Sequence, residues 1–464
     1  EGMAAIPVIK GCIQRRPDVN VLMTTTTLSA FEVLKNMLPN GVIYQLDLNT
    51  NSILLMHIKF VLQQFAPLDT PTAMDCFLGY WKPNAIMLIE SELWPNLIMG
   101  ASRKCIALAL LNARMSAKSF RNWSLPVVSH LTSLMLSKFS LIVPLCNMQA
   151  IHFQLLQAPP LVINFSGDLK YAVDNGNSNE VLRSMEDLQV QLANRQVWMA
   201  SSIHKGEEEV MLGVHKGLQK TYPDIVSIIV PRHPQLGLDI ALDLQKEGVR
   251  VELRSHHEML TPGTNIYVVD TLGWRWILKG LSVLSSRRVL DGLIYEYLGS
   301  GVGMEASSCK QGRELRYFYR LTPIAVIGGS FLPGLTGHNI SEAAAAGCAV
   351  LTGHHLGHFA HMALEMQRLN PMSVLQVSGD AELEEVLREL FSNAKLLDAR
   401  CVAAKQAFNA LSSGVVEKVC NLLHLHIYSK VLTKTKDGGQ EKCGGDERFD
   451  EDDDPGVMLS SFNN

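Results

Sequence analysis

No apolar run in this chain reaches the ~20 residues that cross a bilayer as a helix. The longest, Ile53 to Leu62, is interrupted by His57 and Lys59. The nine cysteines include no CxxC pair and no regular spacing, which excludes a zinc ribbon and predicts reduced thiols rather than a disulfide framework. Excess positive charge is also missing. The net charge of −4 excludes a general nucleic-acid binder, which needs clustered Lys and Arg to neutralise phosphates. The chain begins at Glu1 with no visible signal or transit peptide, so further residues are expected upstream. What remains is a globular composition, 47% hydrophobic and 19% charged, with length for two or three domains with full cores.

The most organised stretch runs from Thr322 to His358. Ile324 to Ile327 suits a buried parallel strand. Gly328 and Gly329 let the backbone turn close to a ligand. Asn339 and Ser341 are N-cap candidates for a helix from Glu342 to Ala346, Gly347 ends it, and Ala349 to Leu351 opens the next strand. Such a helix start at the mouth of a parallel sheet is an anion site, and a carboxylate in its first turn can accept from ribose hydroxyls. An ordinary, well-capped βαβ unit fits the same spacing.

The alternation extends along the chain. A helix over Met3 to Ile13, broken by Arg15, Arg16 and Pro17, precedes a strand at Val19 to Thr27, a helix at Ser29 to Met37 and a strand at Val42 to Tyr44. Strands at Ala85 to Ile89 and Ile106 to Leu111 end at Glu90 and Asn112, and Leu161 to Phe165 reads as another running into Gly167. After a polar linker, strands at Val197, Ile225 and Ile266 alternate with helices, and Ala381 to Leu423 is helical. The pattern predicts α/β architecture with ligands beyond the carboxyl ends of the strands, where Glu90, Glu92 and Asn112 fall. The acidic tail DERFDEDDDPG cannot bury apolar area and is expected to be disordered.

Three further patterns carry less. GSGVG at Gly299 lacks the third glycine of a dinucleotide fingerprint and follows no convincing strand. His354, His355 and His358 are near metal spacing but have no fourth ligand. His256, His257 and Glu258 read as a solvated turn.

Ten short motifs then occur in order: EGMAAIPVIK at Glu1, TTTT at Thr24, FAPLDTP at Phe65, ESELWPN at Glu90, NARMS at Asn112, GDLK at Gly167, SSIHKGEEE at Ser201, VPRHP at Val230, DTLG at Asp270 and GHNISEA at Gly337. Together they resemble the 3-deoxy-D-manno-octulosonic acid (Kdo) transferases. The resemblance implies a GT-B fold of two Rossmann-like domains with a cleft between them. It implies transfer of Kdo from CMP-Kdo to a lipid A precursor, with no cofactor and no metal; no Asp-x-Asp motif in the body of the chain suggests one.

The resemblance also assigns roles. Glu1 matches the end of an SVGE motif and would be the catalytic base. Glu90 would stabilise the transition state, and Lys170 would offset charge on the donor's phosphate or carboxylate. Glu92 is expected to hold backbone groups or a neighbouring Arg. Asp168 stands where the family more often has Asn or Ser. The CMP site would comprise Pro231, Arg232, Leu272, Gly273, Glu314, Asn339, Ile340, Ser341 and Glu342, with the Arg232 fork on phosphate. Two stretches break the motifs: 46–63, and 274–313, which separates Gly273 from Glu314. Both resemble translated intron or a misjoined gene model.

The expected organisation is an acceptor-binding domain over 1–172, a linker over 173–195, a CMP-Kdo-binding domain over 196–430 and the tail over 431–464. Expected partners are CMP-Kdo, a lipid A-type acceptor and a membrane surface, without nucleic acid. The resemblance places the protein in the mitochondrion if it is of plant type, or at the cytoplasmic face of the inner membrane if bacterial. The alternatives are a GT-B enzyme using another nucleotide sugar, and a catalytically impaired product that keeps the fold.

Overall fold

Short apolar runs that alternate with amphipathic stretches have one economical outcome, a parallel sheet covered by helices. The computed structural model of the chain takes that form and describes residues 2–26, 43–44, 61–172, 179–246, 248–256, 260–261, 263–270 and 315–431. Strands β1 (Val21–Thr25), β2 (Ile43–Tyr44) and β3 (Val61–Phe65) pair in the order β1-β3-β2. Strands β4 (Ala85–Ile89), β5 (Ala107–Ala113) and β6 (Leu141–Pro144) pair in the order β4-β5-β6. All these pairings are parallel. β4 is an edge of its sheet, and its five apolar residues all keep partial exposure, whereas those of central β5 are nearly all buried.

The second half forms one seven-stranded parallel sheet. Its strands are β7 (Val197–Ile203), β8 (Val226–Pro231), β9 (Val251–Leu253), β10 (Ile266–Val268), β11 (Ile324–Ile327), β12 (Ala349–Thr352) and β13 (Val374–Gln376). The order is β13-β12-β11-β7-β8-β10-β9. The chain moves outward from β7 through β8, then restarts on its other side at β11, which pairs Ala325 with Met199 and Ile327 with Ser201. The connections therefore diverge at the ends of β7 and β11, where an open α/β sheet leaves its crevice. The helix Glu207–Gln219 shows why these elements form. Its first turn holds three Glu, its last holds Lys216, and Met211, Val214, His215 and Leu218 form the buried stripe.

Several expectations are corrected. Leu161 to Phe165 is not a strand: Pro160–Val162 is a 3-10 turn, and Ile163 makes an isolated parallel bridge to Ile142. Pro160, with its fixed φ, starts that turn and takes Leu161 and Val162 out of extended geometry. Part of the expected linker is the helix Asn179–Leu192, whose Leu188 and Leu192 are buried with Tyr171 and Val226. Residues 61–63, inside the first suspect stretch, belong to β3 and pair with β1. Cys105 is disulfide-bonded, against the expectation of thiols throughout; the other six described cysteines are free.

The last helix, Val415–Leu423, leaves the second half. Its Val415, Val419 and Leu423 share a core with Ala4 and Val8 of the helix Gly2–Arg15 and with Leu111, Val143 and Leu169. At Gly167 an added Cβ would lie 3.1 Å from Val415.

Candidate active site

Two polar clusters stand at strand ends. The first lies beyond β4 and β5. Glu90 and Asn112, one residue past β4 and near the end of β5, have positive φ of 66° and 52°. Left-handed backbone at two non-glycine residues is strained and persists where surrounding bonds fix it. Here they do. Glu90 N–H donates to Leu111 O at 2.9 Å, and the Asn112 amide is satisfied from both ends: its Nδ2 donates to Asp168 Oδ1 at 3.1 Å and its Oδ1 accepts from Leu169 N–H at 3.0 Å.

The Glu90 carboxylate is 1% exposed. Arg114 Nε lies 2.6 Å from Oε2 and Lys170 Nζ 3.1 Å from Oε1. Burial works to raise the carboxyl pKa, but Lys170 and Arg114 outweigh it and hold the group below its ordinary range. Lys170 also sits over the Phe359 ring, 5.1 Å from its centroid. Asp168, equally buried, accepts from Lys170 N–H at 2.8 Å, and His361 Nε2 lies 3.2 Å from its Oδ2. The acid that departs from the resemblance is thus the residue that fixes the Lys170 turn and ties it to the second half of the chain.

The second cluster surrounds the ends of β7, β8 and β11. Glu207 is fully buried, and its carboxylate accepts four backbone N–H groups: those of His204 and Gly329 on Oε2 at 2.9 and 2.7 Å, and those of Ser330 and Phe331 on Oε1, both at 2.9 Å. One carboxylate therefore ties the end of β7 just before its own helix to the glycine turn after β11. Gly329 has φ 68°, and a Cβ there would fall 2.6 Å from the His338 ring. That ring stacks on His204 with centroids 5.0 Å apart, and the two Nε2 atoms are 2.7 Å apart. Such a pair holds one proton between two acceptor nitrogens. Burial, with Arg232 and His233 beside it, lowers the His204 pKa against the pull of Glu207. Arg232 follows β8, its guanidinium exposed and its backbone N–H bonded to Ile203 O at 2.9 Å; Pro231 is buried.

Ser341 connects the clusters, because the single proton of its hydroxyl is shared between two acceptors, Asn339 Oδ1 at 2.8 Å and Lys170 O at 3.2 Å. The helix Ser341–Ala346 has only six residues, and Asn339 Oδ1 already accepts the Ser341 N–H at 3.0 Å. The expected anion site at a free helix start is reduced accordingly. Ile340 is wholly buried in the core, so its side chain is a packing residue. Glu342 keeps about a fifth of its side chain exposed, 3.6 Å from Arg316. Enclosure pushes its carboxyl pKa up, and Arg316 opposes this in part.

Residues 1–173 match the family model described as 3-Deoxy-D-manno-octulosonic-acid transferase (kdotransferase). Over 430 residues the chain is 53% identical to the "Probable 3-deoxy-D-manno-octulosonic acid transferase, mitochondrial" of Arabidopsis thaliana, covering 92% of this chain and 83% of that protein. The chain belongs to the Kdo transferase family. The Haemophilus influenzae 3-deoxy-D-manno-octulosonic acid transferase is 26% identical over 435 residues, covering 93% and 86%. The crystal structure of a glycosyltransferase from Rickettsia africae superposes at a TM-score of 0.52, with 12% identity over 93% of this chain and 94% of that one. A UDP-GlcNAc 2-epimerase from Neisseria meningitidis also reaches 0.52 at 12% identity, over 91% and 96%. These likenesses fix the fold as GT-B, with two Rossmann-like domains.

In this Kdo transferase family member the structure brings Glu90, Lys170, Asn339 and Ser341 into one connected network. Pro231 and Arg232 lie at the adjoining strand ends, two strands from β11. Glu1, Leu272, Gly273 and Glu314 lie outside the described residues, as does the stretch 274–313. Glu92 accepts from the Trp94 indole N–H, a partner the sequence reading did not name. His354 bonds Ser378 Oγ at 3.0 Å. Sequence reasoning missed Arg114, Glu207, His204, His338 and His361 as site residues. Arg114, Glu207, His204 and His338 stand inside motifs already singled out, and their polar types beside strand ends and turns were the available signal.

Proposed function

We propose that this protein transfers Kdo from CMP-Kdo to a hydroxyl of a lipid A-like acceptor, releasing CMP. The observation that carries the reading is the ionised Glu90 buried between Arg114 and Lys170 at the strand ends that face the 339–342 segment. A carboxylate held in its charged form cannot deliver a proton at neutral pH. Glu90 therefore acts as a positioning residue that presents two cations to a substrate carrying phosphate and carboxylate. Lys170 offsets charge as the phosphate leaves, and Arg232 holds that phosphate beside the turn that Glu207 pins. The family resemblance supports Glu1 as the base, and Leu272, Gly273, Glu314 and Glu342 as further contacts to CMP. On this reading 1–172 binds the acceptor and 196–430 the donor.

The acceptor class has its own support. Residues 93–167 contain six Lys or Arg and no Asp or Glu. Within that stretch Val127 is 93%, Leu134 44%, Met148 59% and Leu155 65% exposed on the successive helices Pro126–Leu136 and Asn147–Leu155. A segment with excess positive charge and projecting apolar side chains suits anionic lipid. The Arabidopsis relative's name supports a mitochondrial site.

The test is transfer by the full-length protein from CMP-Kdo to a tetraacylated disaccharide phosphate lipid, with CMP and UDP as competitors. Kdo-bearing lipid and inhibition at least tenfold stronger by CMP are expected. Folded protein that yields no Kdo-lipid, or that UDP inhibits as well as CMP, overturns the reading.

A further inference from the structure

The two ends of the described chain meet at a pair of thiols. Cys12 lies on the helix Gly2–Arg15 and Cys420 on the helix Val415–Leu423; both are free and buried, 5% and 3% exposed. Gly11 permits the close approach of the helices, since a Cβ there would come 2.9 Å from Cys420 Sγ and 3.1 Å from Val416. The two thiols are hydrogen-bonded to each other, and the Tyr428 hydroxyl also bonds Cys12. Both thiols line a small cleft of about 140 Å³ together with Arg15, Arg16, His424 and Tyr428. Arg15 is held over it by Asn421 Oδ1 at 2.5 Å and Glu417 at 3.8 Å. Arg16 is held by Asp18 at 2.5 Å, and both carboxylate partners, Asp18 and Glu417, are exposed, so a small anionic disulfide would meet two guanidinium groups beside the thiol pair by exchanging with solvated carboxylates.

We infer that Cys12 and Cys420 are a redox-responsive pair that a glutathione-type disulfide closes, stapling the last helix of the fold to the first.

The chemistry is ordered by the shared hydrogen bond. Cys420 donates to Cys12 and, against burial and with help from Tyr428 and Arg15, lowers the Cys12 pKa to about 7. The same bond, with burial and the adjacent negative charge, raises Cys420. Cys12 is thus the attacking thiolate. It forms a bond to one sulfur of glutathione disulfide, the S–S bond breaks, and one glutathione thiolate leaves and takes up a proton. With Cys12 now uncharged, two of the three influences raising Cys420 vanish while Arg15 remains. Cys420 loses its proton to water, attacks Cys12 Sγ and expels the second glutathione thiolate. Two protein thiols are oxidised and one glutathione disulfide is reduced to two thiols. Cys348 and Cys401, in the second half of the chain, bond backbone carbonyls, and burial raises both.

The test incubates the reduced full chain with glutathione disulfide at neutral pH, digests it with trypsin without reduction and maps the products by mass spectrometry. The expected product joins peptide 11–15 to peptide 419–430, and the oxidised protein gains ~5 °C or more in thermal midpoint. Its rate of formation falls as pH drops below 7. Cys12→Ser and Cys420→Ala each abolish the linked peptide and the shift, and Cys420→Ala leaves Cys12 at the glutathione adduct. The inference is overturned if Cys12 stays reduced while exposed Cys76 reacts. It is equally overturned if wild-type Cys12 stops at the glutathione adduct, or if it joins a cysteine other than Cys420.

Discussion

A carboxylate shut away from water stays charged only when opposite charges lie within reach, and Glu90 has two. Its folded pKa is depressed, so its stabilisation is present above the unfolded carboxyl value of ~4.3 and is lost as pH falls through the lower folded value. Glu90→Gln leaves Arg114 and Lys170 facing each other without a counter-charge. We expect a cost of ~2–4 kcal/mol at pH 7, read as a lower urea midpoint. We also expect the gap between variant and wild type to narrow on acidification, as the wild-type carboxyl takes up its proton. A gap that stays constant down to pH 3 would mean that the carboxyl is not holding charge.

The loop at the end of β11 owes its shape to a residue far away in sequence. Glu207 holds the N–H groups of Gly329, Ser330 and Phe331. Gln at 207 offers one accepting oxygen and turns an NH2 toward two donors, so Glu207→Gln should cost ~2–3 kcal/mol. It should also raise the donor KM at least tenfold while kcat changes less; steady-state kinetics with varied CMP-Kdo checks the split. The same helix carries His215, fully enclosed, with Nδ1 2.7 Å from Ser227 Oγ on β8. Burial, then Lys216, lowers its pKa to about 4. The unfolded chain takes up this proton near pH 6.5, so stability present above that value is lost between pH 6.5 and 4, by about 3 kcal/mol. Urea unfolding at pH 7 and pH 4.5 should show this slope, and His215→Leu should remove it.

These elements also mark what could be read in advance. β11, its glycine turn and Gly347 were legible because glycine at positive φ and a four-residue apolar run are local signals. Glu90 and Asn112 were legible as polar residues at strand ends, and Lys170 through the GDLK motif of the family resemblance. Glu207 reaches the turn across more than a hundred residues, and Asp69 caps the helix Pro95–Arg103 by accepting from Asn96 and Leu97 N–H. His361 meets Asp168 only after the two halves assemble. No spacing rule carries such pairings, because tertiary packing creates them. The helix Asn179–Leu192 was hidden by its polar, Asn-rich start, although its buried leucines fall at helical spacing.

The two halves are joined by more than the chain between them. Ser341 bonds the Lys170 carbonyl, and Tyr171 is buried within the core of the second sheet. The helix Val415–Leu423 returns from that sheet to complete the core under β5 and β6. A helix shared in this way makes the first half depend on the end of the chain. Val419 is fully buried there, beside Val8 and Val143. Val419→Ala should therefore cost ~2 kcal/mol, although it lies more than 240 residues from the 1–172 segment it supports. Val402 on the preceding helix is 53% exposed, and Val402→Ala should stay within about 0.5 kcal/mol. Calorimetry distinguishes the outcomes. If the returning helix couples the halves, Val419→Ala moves the transition of the first half to lower temperature, and Val402→Ala leaves it in place. If the first half folds without that helix, its transition is indifferent to both substitutions, and the coupling does not exist.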